Sequence, residues 1–238
     1  MFELNIQKNW IDALYARSSV RQYTSAPDKA QLDKLGETCR KLSWQGVKIR
    51  MFKGPGLKSQ IKGTDVYAVI IAKRGTPMEV EGFMGEALAL EATAMGLGTC
   101  WLGAGFYPDI INRNVDLQTD EAVHCVISIG KANLPAFAPK RKELEKVCGM
   151  NEEQLAQLGA WQKEAVLAAR LAPSAINQQP WKIVADKTSV SILETTVLYK
   201  KYAPLDRGIC MLHAAVGAAK AGRTGLWKKV DGGYAMKA

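Results

Sequence analysis

The sequence predicts an α+β fold built from two similar halves, and three observations carry that prediction. Short apolar runs of strand length alternate with longer stretches in which apolar residues recur at helical spacing. After a charged, proline-containing connection from Lys131 to Lys146, the order of these segments starts again. Each half also closes with a helix that opens near a glycine, Gly85 or Gly208, and runs into glycine and a tryptophan, Trp101 or Trp227. The halves are placed at 1–146 and 147–238.

In the first half, Trp10 and Leu14 stand at helical spacing. Asp28 followed by Gln31 is the spacing of a capping box, with Leu32, Leu35, Cys39 and Leu42 on one helical face. Residues 47–52 alternate like a half-exposed strand, and 66–72 form a near-continuous apolar run suited to a central strand. A long helix is expected from about Gly85 to Gly96, where glycine suits a left-handed terminus. Residues 124–129 supply a further buried strand. In the second half, Asn151 and Gln154 repeat the capping-box spacing, and Leu155, Leu158, Val166 and Ala169 are helical apolar positions. Short strands follow at 183–186 and 190–193. A last helix is expected near Gly208, with Asp206 as its cap.

Composition bounds the function. The chain has 238 residues, 47% hydrophobic and 23% charged, enough for a full core. The sequence shows no secretory signal pattern and no apolar run long enough to span a bilayer, so a cytoplasmic protein with no membrane partner is expected. The net charge of +9 comes from scattered lysines and arginines rather than one interleaved basic face, which argues against nucleic acid and fits phosphorylated small molecules. Five widely spaced cysteines are expected as free core thiols. His124 and His213 have no partner at metal spacing and are expected in the core.

The segment richest in chemistry is Ala172-Pro173-Ser174-Ala175-Ile176-Asn177-Gln178-Gln179-Pro180-Trp181. Pro173 ends the preceding helix. Ser174, Asn177, Gln178 and Gln179 then offer donors and acceptors that suit a flat heterocycle, although a plain helix-to-strand turn uses the same residues. A second segment, Arg17-Ser18-Ser19-Val20-Arg21, combines two guanidinium forks with neutral donors, a set that suits phosphate. On its own, such a run also fits a solvated surface.

The first of these segments resembles the APSxxNxQPW signature of the nitroreductase family of FMN enzymes. Arg17-Ser18-Ser19-Val20-Arg21 is similar to that family's N-terminal RRSxR element, with Ser18 where a basic residue is usual. Gly96-Leu97-Gly98-Thr99-Cys100-Trp101-Leu102-Gly103 is similar to its GLGTCWxG segment, and Lys140-Arg141-Lys142 to its later basic element. The resemblance implies FMN held at its phosphate and ribityl chain by Arg17, Ser18, Ser19 and Arg21, with Lys140 and Arg141 returning to the phosphate. It implies that Pro173, Ser174, Ala175, Asn177 and Gln178 pack on the ring, and that the backbone at Leu102 and Gly103 meets flavin N5 in the ring plane.

Ordinary members of the family act as homodimers, so the resemblance further implies that this chain is a fused pair, a monomer acting as a pseudo-dimer with one site retained. No protein side chain is assigned as catalytic, because the chemistry belongs to the flavin. NAD(P)H is the implied electron donor and a nitroaromatic, quinone or similar small molecule the acceptor, in a ping-pong cycle. A non-catalytic FMN-binding protein for storage or sensing is the alternative, and a module without flavin the third reading.

Overall fold

The structure is a computed structural model, and it describes residues 4–133 and 140–237. Residues 134–139 of the connection expected over Lys131–Lys146 lie outside the described residues. The chain divides into two compact units, Ala16–Pro77 with Met84–Ala138, and Met1–Tyr15 with Met78–Phe83 and Pro139–Ala238.

The first unit holds helix α2 (Lys29–Leu42), strands β1 (Val47–Lys53), β2 (Val66–Lys73), β3 (Gly98–Leu102) and β4 (Glu121–Gly130), and helix α4 (Pro108–Asn114). The Asp28–Gln31 capping box forms as expected: the Asp28 carboxylate accepts from the Gln31 N–H, and the Gln31 side chain accepts from the Asp28 N–H. The strands make one antiparallel sheet in the order β1-β2-β4-β3. The apolar run 66–72 is buried throughout and forms the central strand β2, of which only the last residue, Lys73, is exposed. Tyr67, Val69 and Ile71 point to one face of that strand and pack with Val126, Leu102 and Ile111.

The second unit holds helices α5 (Leu144–Cys148), α6 (Glu152–Ala156), α7 (Ala160–Arg170) and α8 (Ala203–Lys220), with strands β5 (Trp181–Ala185), β6 (Ser189–Glu194), β7 (Leu226–Val230) and β8 (Gly233–Lys237). Its four strands are again antiparallel, in the order β5-β6-β8-β7. The two sheets therefore share one strand order, and each has a long helix between its second and third strands. The Asn151–Gln154 capping box is present. Helix α7 packs on α8 through small residues, and the backbone carbonyl of Glu164 lies directly against Gly217. His213 is fully buried, its Nδ1 lying 3.3 Å from the Ala168 carbonyl.

Helix α1 (Trp10–Ala16) precedes both sheets, and α3 (Met78–Ala94) begins in the second unit and continues in the first. Two helix starts differ from expectation. Helix α3 begins at Met78 after Pro77, and α8 at Ala203 with Pro204 in its first turn, so Gly85 and Gly208 are interior positions. Their role is close approach. A Cβ on Gly85 would strike the Trp101 indole and Ile70, and one on Gly208 would strike the Glu79 carbonyl. Gly82 of α3 faces the Leu205 carbonyl of α8 in the same way. At the other end of α3, Gly96 does take the left-handed conformation, with φ +75°.

All five cysteines are buried and none forms a disulfide among the described residues. Among the described residues no cluster of potential metal ligands occurs, and no helix is long and apolar enough to cross a membrane.

Candidate functional site

Residues of the Arg-Ser-Ser-Val-Arg segment come together with the start of β3. Ser19 and Thr99 form a parallel bridge, and the Val20 N–H donates to the Thr99 carbonyl at 2.9 Å. Gly98 permits this closeness, because a Cβ there would meet the Val20 side chain at 2.9 Å. Beside the bridge, Arg17 and Ser18 are buried. The Arg17 guanidinium is ion-paired to Glu86 of α3 at 3.6 Å, and the Trp101 Nε1–H donates to the same carboxylate at 2.6 Å. Arg17 Nε and Nη1, Ser18 Oγ and Thr99 Oγ1 are all buried and have no hydrogen-bond partner among the described residues. A buried donor without an acceptor costs about 1–3 kcal/mol, so these atoms, on segments joined by the Ser19–Thr99 bridge, mark a place suited to an oxygen-rich anion. Arg21 is exposed. Burial raises the Cys100 thiol above its ordinary range, against the pull of Arg21 and then Arg17.

Leu102 is the last residue of β3, buried and paired with Val126, and Gly103 opens the bend that follows. The glycine-rich segment is thus a strand leading into a turn rather than a turn throughout.

The Pro-Ser-Asn loop is a single 3-10 turn, Ala175–Asn177, in the second unit. Three residues without glycine's freedom take positive φ there: Ile176 at 48°, Asn177 at 56° and Gln179 at 50°. Such a conformation is unusual for a β-branched residue, and Ile176 is also 79% exposed. The loop is held by its own polar side chains. Ser174 Oγ accepts from the Gln179 N–H at 2.8 Å. Asn177 Oδ1 accepts from Arg141 Nη1 at 2.5 Å, and its Nδ2 donates to the Lys140 carbonyl at 3.0 Å. Gln178 both donates to the Tyr199 carbonyl and accepts from the Tyr199 N–H. Gln179 accepts from the Lys142 N–H and donates to the Asn177 carbonyl. The amides that suit a heterocycle therefore fix the loop's shape, and Lys140, Arg141 and Lys142 are gathered beside it. Arg141 Nε also donates to the Leu171 carbonyl.

Asp206 does not cap α8, which begins three residues earlier. Its buried carboxylate instead accepts from the Ala175 N–H, at 3.1 Å to each oxygen. Burial pushes this carboxyl up to about 7, opposed by the Ala175 bond and by Arg207. The folded chain then retains a proton that the unfolded chain releases near pH ~4. Stability therefore falls as pH rises from about 4 to about 7, and the penalty is fully present above that window. Asp206→Asn keeps an acceptor for Ala175 without the charge. It is expected to be more stable than the parent by ~2–4 kcal/mol at pH 8 and nearly equal at pH 4. Urea denaturation at the two pH values checks this, and a variant less stable at pH 8 would contradict it.

Sequence reasoning passed over Glu86, Thr99 and the Lys142–Gln179 contacts. The signal for Glu86 was available: a carboxylate flanked by apolar residues in the middle of a largely buried helix needs a cation, and Arg17 is one.

The described elements define an α+β protein with two four-stranded antiparallel sheets of one strand order, an orphaned polar cluster on the first and a braced proline-flanked loop on the second. Residues 9–218 match the family described as Putative TM nitroreductase, and the chain belongs to that family of oxidoreductases. A structure described as a putative nitroreductase from Thermotoga maritima MSB8 aligns with a TM-score of 0.71 at 24% identity, over 100% of this chain and 97% of that one. An FMN-dependent nitroreductase of Clostridium difficile R20291 aligns at TM-score 0.45 and 21% identity, covering 55% of this chain and 91% of its own. A Desulfitobacterium hafniense DCB-2 nitroreductase with bound FMN gives TM-score 0.48 and 15% identity, over 61% and 100%. No curated protein matches the chain by sequence.

Proposed function

We propose that this chain binds FMN and acts as an NAD(P)H-dependent oxidoreductase on nitroaromatic, quinone or similar small acceptors. The observation that carries the reading is the orphaned set Arg17 Nε and Nη1, Ser18 Oγ and Thr99 Oγ1, in the segments that resemble the family's phosphate-binding and post-helix elements. A permanently charged fork and two hydroxyls fit phosphate oxygens. Ser19 and the exposed Arg21 extend the same set toward the ribityl chain. Leu102 and Gly103 offer backbone at a strand end, where a ring edge can be approached without side-chain crowding.

Bound FMN supplies hydride acceptance and return, chemistry that no side chain here provides. The chain's own residues bind and orient. Pro173, Ser174, Ala175, Asn177 and Gln178 form a loop whose shape is fixed before any ligand arrives, which lowers the ordering cost of binding. Arg141 acts in this reading as that loop's positioning residue, with Lys140 supplying charge beside it. The shared strand order of β1–β4 and β5–β8 supports an internal duplication with halves at 1–146 and 147–238, and hence a monomer acting as a pseudo-dimer.

Purified protein incubated with FMN is expected to be yellow, to bleach on anaerobic addition of NADH or NADPH, and to regain colour with a nitroaromatic or quinone. Stable colour with both nicotinamides would overturn the oxidoreductase reading and favour FMN storage or sensing. Protein that stays colourless would overturn both.

A further inference from the structure

A cavity of about 480 Å³ lies wholly within the second unit, at the junction of β6 and α8. Its walls are Glu194 at the end of β6, Thr195, Thr196, Val197 and Lys200 of the connection, and Ala203, Pro204 and Arg207 of the first turns of α8. The donors around it are open. The Thr195 and Thr196 hydroxyls and the exposed Lys200 ammonium make no hydrogen bond or ion pair among the described residues. The α8 N-terminus adds the positive end of an 18-residue helix, and its cap residue Tyr202 makes no side-chain capping bond.

The deciding group is Arg207. Its side chain is 10% exposed, and its Nη2 is engaged with Glu79 at 2.7 Å, while Nη1 stands 3.9 Å from Glu194. Nε is buried and makes no hydrogen bond among the described residues. A guanidinium that lines the cavity, paired on one side with a carboxylate and keeping donors without a hydrogen bond, is suited to one more oxygen acceptor. The exposed carboxylate of Glu194 is near enough to be a partial stand-in for that acceptor. Val197, Ala203 and Pro204 add apolar lining, and the volume is far larger than one phosphate needs, in the range of small-molecule sites.

We propose that this cavity binds a phosphate monoester, with the phosphate at Arg207, Lys200, Thr195 and Thr196 and the organic part against Val197 and Pro204, independently of the flavin site above. The test is isothermal titration of the full chain with ribose 5-phosphate, inorganic phosphate and ribose, each with and without saturating FMN. Ribose 5-phosphate is expected to bind more tightly than inorganic phosphate, ribose not at all, and neither affinity to change with FMN. Lys200→Ala and Arg207→Lys should each weaken ribose 5-phosphate about five- to tenfold. Glu194→Gln should tighten it about threefold, because a competing negative charge is removed. Circular dichroism confirms that each variant is folded. Absence of binding by the parent chain overturns the proposal. So do equal affinities across the three variants, or loss of binding when FMN is added, which would make the cavity part of the flavin site. Because the titration without FMN stands alone, a chain that binds no flavin leaves this result readable.

Discussion

Replacing Arg17 by alanine is expected to weaken FMN binding at least a hundredfold. Among the described residues its Nη1 is buried without a hydrogen-bond partner, and Nε, buried too, has only the 3.6 Å ion pair with Glu86. Each charge-assisted bond to a phosphate oxygen is worth about 1.5–3 kcal/mol, and a tenfold change in affinity corresponds to about 1.4 kcal/mol. The substitution also removes a cation from the buried Glu86 carboxylate, to which Trp101 still donates, so some stability is lost with it. Arg17→Lys separates the two effects: it keeps a cation for Glu86 but loses the fork, and about a tenfold loss of affinity is expected with a near-parental melting temperature. Flavin fluorescence titration reads the affinity. An unchanged dissociation constant in both variants would show that the phosphate binds elsewhere.

The largest effect on stability is expected at the crossing of α3 and α8. At Gly82 and Gly208 an added Cβ would meet backbone carbonyls, of Leu205 and Glu79 respectively, and backbone cannot rotate away as a side chain can. The same crossing places Glu79 where it pairs with Arg207, so separating the helices strains a buried ion pair as well. Gly208→Ala and Gly82→Ala should each destabilise by at least ~3 kcal/mol, above the ordinary range for one extra methyl because both helices must shift. In a chain of this length that lowers the melting temperature by roughly 6–12 °C. Gly36→Ala in α2 provides the opposite sign. Its Cβ would approach only Arg40 Nη1, at 3.9 Å, and glycine inside a helix is about 0.5–1 kcal/mol worse than alanine. A gain of that size at Gly36, beside large losses at Gly82 and Gly208, is the expected pattern in thermal melts. Equal, small effects at all three positions would contradict the tight crossing.

The contrast among these glycines shows what the sequence disclosed and what it withheld. Local signals were legible: both capping boxes formed, 66–72 became a central strand, and Gly96 took the left-handed turn, because each depends on residues within a few positions of one another. Gly85 and Gly208 suggested helix starts, yet their reason lies across the fold, in an indole and a carbonyl that approach from another element. Asp206 followed the same course. Its place near the helix start suggested a cap, and only tertiary structure reveals that it accepts from Ala175.

The candidate site divides along the same line. The residue types in 17–21 and 172–181 pointed to an oxygen-rich, planar ligand. That Asn177, Gln178 and Gln179 brace their own loop could not be read without the positions of Arg141, Lys142 and Tyr199. Nor could sequence alone place Arg17 in the core beside Glu86, because a run of arginines and serines is equally at home on a solvated surface.

The proposal that one FMN per chain is held at its phosphate by the segment around Arg17 rests on the unsatisfied donors buried there. Its most direct test is the visible absorption spectrum of protein saturated with FMN and freed of excess by gel filtration, with flavin counted against chain concentration. One flavin per chain is the predicted result, falling to a small fraction of that in Arg17→Ala. No retained flavin, or two per chain with the Arg17 variant unaffected, would contradict it.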